Sequence, residues 1–215
     1  MAKPLVKICG LSTPETLQAA IEAGVDYVGF VFFERSPRYV SVETAAHLRA
    51  LMPPAVPPVA LLVDAQDAFI DTMIEKVQPG LLQLHGHETP ERVAAIKTRT
   101  GLPVMKVLSI ATADDVAATA LYENVADLLM FDAKPPKSMP NALPGGNALS
   151  FDWSLIADIS LSVPWMLSGG LNPDNVAEAI IRTGASMVDV SSGVESAPGQ
   201  KDVARMRAFI QAAKG

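Results

Sequence analysis

The sequence predicts an α/β fold, a closed (β/α)8 TIM barrel in a single domain over residues 1–215, and three observations carry that prediction. Eight short runs rich in Val, Ile, Leu and Phe alternate with segments of helical spacing. Several runs are apolar at nearly every position, as befits parallel strands covered on both faces. Helix-start signatures recur just after apolar runs, which fixes the order strand, turn, helix. Alternation of this kind implies parallel strands, and eight units in 215 residues suit a barrel. A doubly wound open sheet is the alternative architecture. Only Gly10 follows the first run, so the Gly-rich dinucleotide fingerprint is missing.

The first run, Leu5 to Cys9, ends on a glycine turn. Strand alternation places Leu5, Lys7 and Cys9 on one face and Val6 and Ile8 on the other. Thr13-Pro14-Glu15 then supplies a cap, a proline preset for the first turn and an acid favoured by the helix dipole. Leu17, Ala20, Ile21 and Gly24 continue at helical spacing. The second run is Tyr27 to Phe33, followed by the loop Glu34-Arg35-Ser36-Pro37-Arg38. The third, Pro58 to Val63, leads into a stripe of Ile70, Met73, Ile74 and Val77, and the fourth, Leu81 to His85, into Thr89-Pro90-Glu91. The fifth and sixth are Val104 to Leu108 and Leu128 to Asp132. After the sixth, Ala133 to Pro144 contains four prolines and exceeds the usual βα connection, so it is a candidate lid or phosphate contact. The seventh, Trp165 to Ser168, precedes Asn172-Pro173-Asp174, a third helix start. The eighth is Met187 to Ser191, and Val203, Met206 and Ile210 mark the last helix.

With 49% apolar and 19% charged residues, the chain can bury a large core. A net charge of -6 without a Lys/Arg block argues against nucleic acid or anionic membrane as partner. Met1-Ala2-Lys3-Pro4 lacks the apolar core of a signal peptide, and no apolar run nears the roughly 18 residues that span a bilayer. One cysteine cannot form an intramolecular disulfide. The expectation is a soluble cytoplasmic protein, with a monomer as the default.

Barrel enzymes carry their chemistry at the C-terminal ends of strands, and those ends are polar here. They supply Cys9, Gln83 with His85, Asp132, Ser168-Gly169-Gly170 and Asp189 with Ser191-Ser192-Gly193. Parity aims Cys9, His85, Asp132, Asp189 and Ser191 into one mouth. Gly169 and Gly170 after the seventh strand, and Ser191, Ser192 and Gly193 after the eighth, are candidate phosphate ligands, because glycines let backbone N–H groups approach an anion. The alternative is that the glycines merely close tight loops.

A lone cysteine is commonly a small buried hydrophobe. As a base, Cys9 needs a cationic neighbour such as Lys7, since an ordinary thiol is only a few per cent thiolate at neutral pH. Asp132 serves as an acid only if it keeps a proton near neutrality, which burial or nearby anions favour. Its bland alternative is capping, or pairing with Lys134. Arg38 suits bidentate capture of a carboxylate, although an exposed surface arginine is the commoner explanation for such a residue.

Several segments together resemble the phosphoribosylanthranilate isomerase family of tryptophan biosynthesis. They are Lys7-Ile8-Cys9-Gly10, Gly29-Phe30-Val31-Phe32 with Ser36-Pro37-Arg38-Tyr39, Gln83-Leu84-His85-Gly86, Phe151-Asp152-Trp153, Leu167 to Pro173 and Val188 to Glu195. They run in order from the first strand to the last. The resemblance implies an Amadori rearrangement of N-(5-phosphoribosyl)anthranilate to 1-(2-carboxyphenylamino)-1-deoxyribulose 5-phosphate, with no metal or organic cofactor. It implies Asp132 as the general acid on the ring oxygen and Cys9 as the base for the C2 proton. It further implies Arg38 on the anthranilate carboxylate, the glycine loops on the phosphate, and His85 and Asp189 as accessory polar residues. Another phosphosugar barrel enzyme, whether an epimerase, a lyase or one like indoleglycerol-phosphate synthase, is the alternative, as is a non-catalytic sugar-phosphate-binding protein. One segment departs from the family pattern. Gly145-Gly146-Asn147-Ala148-Leu149-Ser150 has Ala148 and Leu149 where a flexible glycine and a polar side chain are expected.

Overall fold

The computed structural model describes residues 3–136, 138–139 and 143–215. Met1 and Ala2 of the N-terminal reading, and residues 137 and 140–142 of the candidate lid, lie outside the described residues. Eight parallel strands close into a barrel in sequence order. They are β1 (Leu5–Cys9), β2 (Tyr27–Val31), β3 (Pro58–Leu62), β4 (Leu81–Leu84), β5 (Val104–Ile110), β6 (Leu128–Ala133), β7 (Trp165–Leu167) and β8 (Met187–Val190). Each coincides with an apolar run of the sequence to within two residues at either end.

Around them lie α1 (Pro14–Glu22), α2 (Val42–Ala50), α3 (Asp67–Val77), α4 (Pro90–Thr100), α5 (Ala113–Ala117), α6 (Val176–Thr183) and α7 (Val203–Lys214). Thr13 and Thr89 cap α1 and α4 through their hydroxyls, with Pro14 and Pro90 opening the helices. Such caps are each worth about 1 kcal/mol. The third start is displaced. The Asn172 side chain accepts from Asp174 N and Asn175 N, which folds residues 172–175 into a turn, and α6 begins at Val176.

The alternation also fails once. Among the described residues the β6–β7 connection holds only a 3-10 turn, Trp153–Leu155, in place of a helix. Pro135, Pro136 and Pro144 withhold backbone donors, and Gly145 and Gly146 lack helical preference.

Strand parity divides the core in two. Val6, Ile8, Val28, Phe30, Leu82, Phe131 and Val188 face outward and pack beneath the helices. The inward face has a floor of Met105, Met130, Met166 and Met187 with Val59 and Leu81. Above it Cys9, Val31 and Leu61 form a smaller apolar cluster. Lys7, Gln83, Asp132 and Asp189 are buried polar side chains on the inward face. After β8 the chain adds a hairpin, β9 (Glu195–Ala197) paired antiparallel with β10 (Gln200–Lys201).

Candidate active site

The mouth of the barrel is a cavity lined by Cys9, Arg38, His85, Asp132, Asp189, Ser191 and Ser192, with Gly169 and Gly170 on one wall. All of these come from strand ends or the loops just beyond them. Residues 143–149 cover the cavity from the β6–β7 connection.

Cys9 is 3% exposed and free. Beneath it Lys7 is fully buried, its Nζ 2.8 Å from Asp189 Oδ1, in the register that pairs β1 with β8. Ser168 donates from Oγ to the other Asp189 oxygen at 3.2 Å. Room for both groups comes from Gly29 on β2. A Cβ there would lie 2.9 Å from Cys9 Sγ and 3.1 Å from Lys7 Nζ. Asp189 therefore neutralises the lysine that sits below the thiol.

Burial pushes the Cys9 thiol up from its ordinary value; Lys7 and Lys201 pull it down, Asp189 adds to the rise, and the net direction is up. Lys7 thus opposes the rise without reversing it. For Lys7, burial favours the neutral amine, but Asp189 and Cys9 outweigh it and hold the proton more tightly than usual.

Asp132 ends β6 and is 6% exposed. Its Oδ1 accepts from Ala133 N at 2.8 Å, and its Oδ2 lies 3.4 Å from His85 Nε2, which makes no closer hydrogen bond among the described residues. Lys134 pairs instead with Asp115, so the bland partner proposed for Asp132 is engaged elsewhere. Gly145 lies over both groups. A Cβ there would be 2.5 Å from His85 Cε1 and 2.6 Å from Asp132 Oδ2.

Arg38 is buried, at 5% exposure, and does not stand on an open surface. It meets Glu195 side-on, Nε to Oε1 and Nη2 to Oε2, both at 2.8 Å, and Nη2 also reaches Gly146 O at 3.3 Å. Lys201 Nζ binds the same carboxylate at 2.6 Å and Ser191 O at 3.0 Å. Ser191 Oγ in turn donates to Cys9 O at 3.1 Å. The Lys201 side chain is 1% exposed, and no apolar run or strand-end position in the sequence nominates it. The sequence signal was present in Pro198-Gly199, a turn pair that marks the hairpin delivering it.

The glycine loops serve packing as well as access. Gly169 and Gly170 both have positive φ, 89° and 65°, and pack against Ala133 N and the Leu149 carbonyl respectively. Gly193 has no room for a side chain beside the Leu171 carbonyl, so the two loops interlock. Among the described residues no hydrogen bond takes the N–H of Gly169 or Gly170. Both remain available to an anion in the mouth. No cluster of metal-binding side chains occurs among the described residues, and no helix there is long and apolar enough to cross a membrane.

The comparisons with known proteins agree with one another. The family model described as N-(5'phosphoribosyl)anthranilate (PRA) isomerase matches residues 6–212. The N-(5'-phosphoribosyl)anthranilate isomerase of Parvibaculum lavamentivorans is 59% identical over 209 residues, covering 97% of each chain. That of Paramagnetospirillum magneticum is 57% identical over 210 residues, covering 98% of this chain and 97% of its own. The crystal structure of phosphoribosyl anthranilate isomerase from Thermotoga maritima superposes with a TM-score of 0.87 at 36% identity, covering all of both chains. A phosphoribosyl anthranilate isomerase in complex with reduced 1-(o-carboxyphenylamino)-1-deoxyribulose 5-phosphate superposes with a TM-score of 0.84 at 35% identity, also over both full chains. A barrel with these strand-end residues, matched over nearly its whole length, has its place: the chain belongs to the N-(5'-phosphoribosyl)anthranilate isomerase family.

Proposed function

We propose that the chain isomerises N-(5-phosphoribosyl)anthranilate to 1-(2-carboxyphenylamino)-1-deoxyribulose 5-phosphate with Cys9 as base and Asp132 as acid. The observation that carries this reading is that both line one cavity from different strands, with Arg38 and the two glycine loops around them. An aldose-to-ketose shift needs one group to give a proton to oxygen and another to take one from carbon. Such positioned transfers contribute roughly 10²–10⁴-fold each.

Asp132 delivers its proton to the ring oxygen as the C1–O bond breaks, and the open sugar becomes a Schiff base. Cys9 thiolate takes the C2 proton, giving an enolamine. Loss of the C2 hydroxyl proton and protonation at C1 then yield the ketone, so no atom is gained or lost overall. Arg38 Nη1, unused in the Glu195 pair and lying beside Gly146 on the cavity wall, is the donor for the anthranilate carboxylate. Gly169 and Gly170 N–H groups, with Ser191, Ser192 and Gly193, hold the phosphate, while His85 steadies Asp132 Oδ2. The relative crystallised with a reduced 1-(o-carboxyphenylamino)-1-deoxyribulose 5-phosphate supports a ligand with this carboxylate and phosphate.

The test follows loss of phosphoribosylanthranilate fluorescence with the wild type, Cys9→Ala and Asp132→Asn. Near-complete loss of turnover in both folded variants is expected. Full activity in Cys9→Ala overturns the base, and an inactive wild type overturns the reaction.

A further inference from the structure

Three charged side chains form a unit beside the mouth, of which Arg38 alone lines the cavity. Glu195 accepts from Arg38 Nε and Nη2 and from Lys201 Nζ, and its Oε2 also accepts from Gly199 N at 3.2 Å. Four donors converge on one carboxylate, which leaves it no freedom to rotate toward a ligand. The hairpin is built for this placement. Its register sets Lys201 opposite Glu195, and Arg205 on α7 anchors the Glu195 carbonyl at 2.8 Å. At its tip Gly199, with φ 79°, sits so close to the Pro37 carbonyl that no side chain fits. The hairpin is thereby pressed against the residue preceding Arg38.

A neutral Arg38–Glu195 pair would attract an anion weakly, because each charge cancels the other beyond contact range. Lys201 changes that sum. Two cations against one carboxylate leave the unit with one net positive charge, in a buried place where water screens little.

We infer that Glu195 and Lys201 are positioning residues for carboxylate recognition: Glu195 holds Arg38 by its Nε–Nη2 edge so that Nη1 faces the substrate, and Lys201 supplies the charge that Glu195 removes. The inference rests on the reading of Arg38 as the carboxylate donor. The hairpin thus sets substrate choice from outside the barrel.

A second consequence concerns pH. Burial lowers the affinity of Lys201 for its proton, and Glu195 and Cys9 recover only part of it, so the net direction is down. The titratable groups facing Lys201 are the Glu195 carboxylate on β9, the Arg38 guanidinium on the β2–α2 loop and the Cys9 thiol on β1. As pH rises Lys201 is neutralised, and the unit loses its net charge.

The experiment compares two substrates, N-(5-phosphoribosyl)anthranilate and its aniline counterpart without the carboxylate, in Arg38→Ala, Glu195→Gln, Lys201→Met and Lys201→Arg. Glu195→Gln and Lys201→Met are expected to raise KM for the carboxylated substrate at least about tenfold while moving that of the aniline counterpart less than about twofold. Lys201→Arg should restore the wild-type KM and abolish its alkaline rise. If Glu195→Gln does not fold, Lys201→Met, which keeps the buried stem, carries the comparison alone. A substrate-specific effect in Arg38→Ala with none in Glu195→Gln or Lys201→Met overturns the positioning roles and leaves the Arg38 reading standing. An Arg38→Ala variant that treats both substrates alike overturns the Arg38 reading, and the inference with it.

Discussion

Lys7 Nζ and Asp189 Oδ1 stand 2.8 Å apart across the seam where the first and last strands of the barrel meet. Lys7 is fully buried and Asp189 nearly so, and Ser168 donates to the second Asp189 oxygen. Removing one partner of a buried pair leaves an uncompensated charge, whereas replacing both with apolar groups does not. Asp189→Asn should therefore cost about 3–5 kcal/mol in urea unfolding, and Lys7→Met with Asp189→Leu should recover most of it. A loss below about 1 kcal/mol in Asp189→Asn would show that the pair does not hold the seam.

Cys9 offers a pH-dependent readout, because it is the only thiol in the chain. Burial, opposed by Lys7 and Lys201, raises its proton affinity. The ascending limb of kcat/KM, and the rate of iodoacetamide labelling, should both lie alkaline of the ordinary thiol near pH 8.5. Lys7→Met should move both further up. The linkage has the same sign. The raised thiol contributes stability that is fully present below about pH 8.5 and is lost as pH rises through the folded value. A labelling limb on the acid side of an ordinary thiol refutes this account.

Gly29→Ala tests whether the thiol needs its space. The added Cβ would meet Cys9 Cα at 3.0 Å as well as the two functional atoms, and a strand backbone cannot yield as a side-chain tip does. Turnover should fall by about 10²-fold, the scale of a misplacement near 1 Å, with a stability loss of about 1–3 kcal/mol. Unchanged turnover would show that the Cys9 geometry tolerates displacement.

Ala148 occupies the left-handed region at φ 56°, where the family pattern leads one to expect glycine. An L-residue pays about 1–2 kcal/mol there. Ala148→Gly should raise stability by about 1 kcal/mol, read as a Tm increase of about 2–4 °C. A fall in Tm would mean that the alanine methyl has packing value exceeding its backbone strain.

Much of the barrel was legible because buried parallel strands are apolar on both faces. Gln83, Asp132 and Asp189 interrupt that rule on the inward face, which is how parity brought them to one mouth, while Lys106 breaks it on the outward face and pairs with Glu88. The missing helix after β6 was announced by its prolines, although alternation argued for a full unit. Lys201 escaped notice because its strand is two residues long and its partner lies across a turn. Periodicity has no purchase on so short an element. The occupation of Arg38 by Glu195 was equally hidden, since the two are 157 positions apart.

The distribution of the site along the chain carries a last consequence. Cys9, Arg38 and His85 come from the first four strands and their loops; Asp132, both glycine loops, Asp189, Glu195 and Lys201 come from the last four. A cut between β4 and β5 would separate the proposed base from the proposed acid, and Arg38 and Lys7 from the carboxylates that hold them. Neither fragment alone could turn over substrate. Recovered activity on mixing the two would report that both seams, β1 with β8 and β4 with β5, had zipped in register, so the enzyme serves as its own reporter of barrel closure.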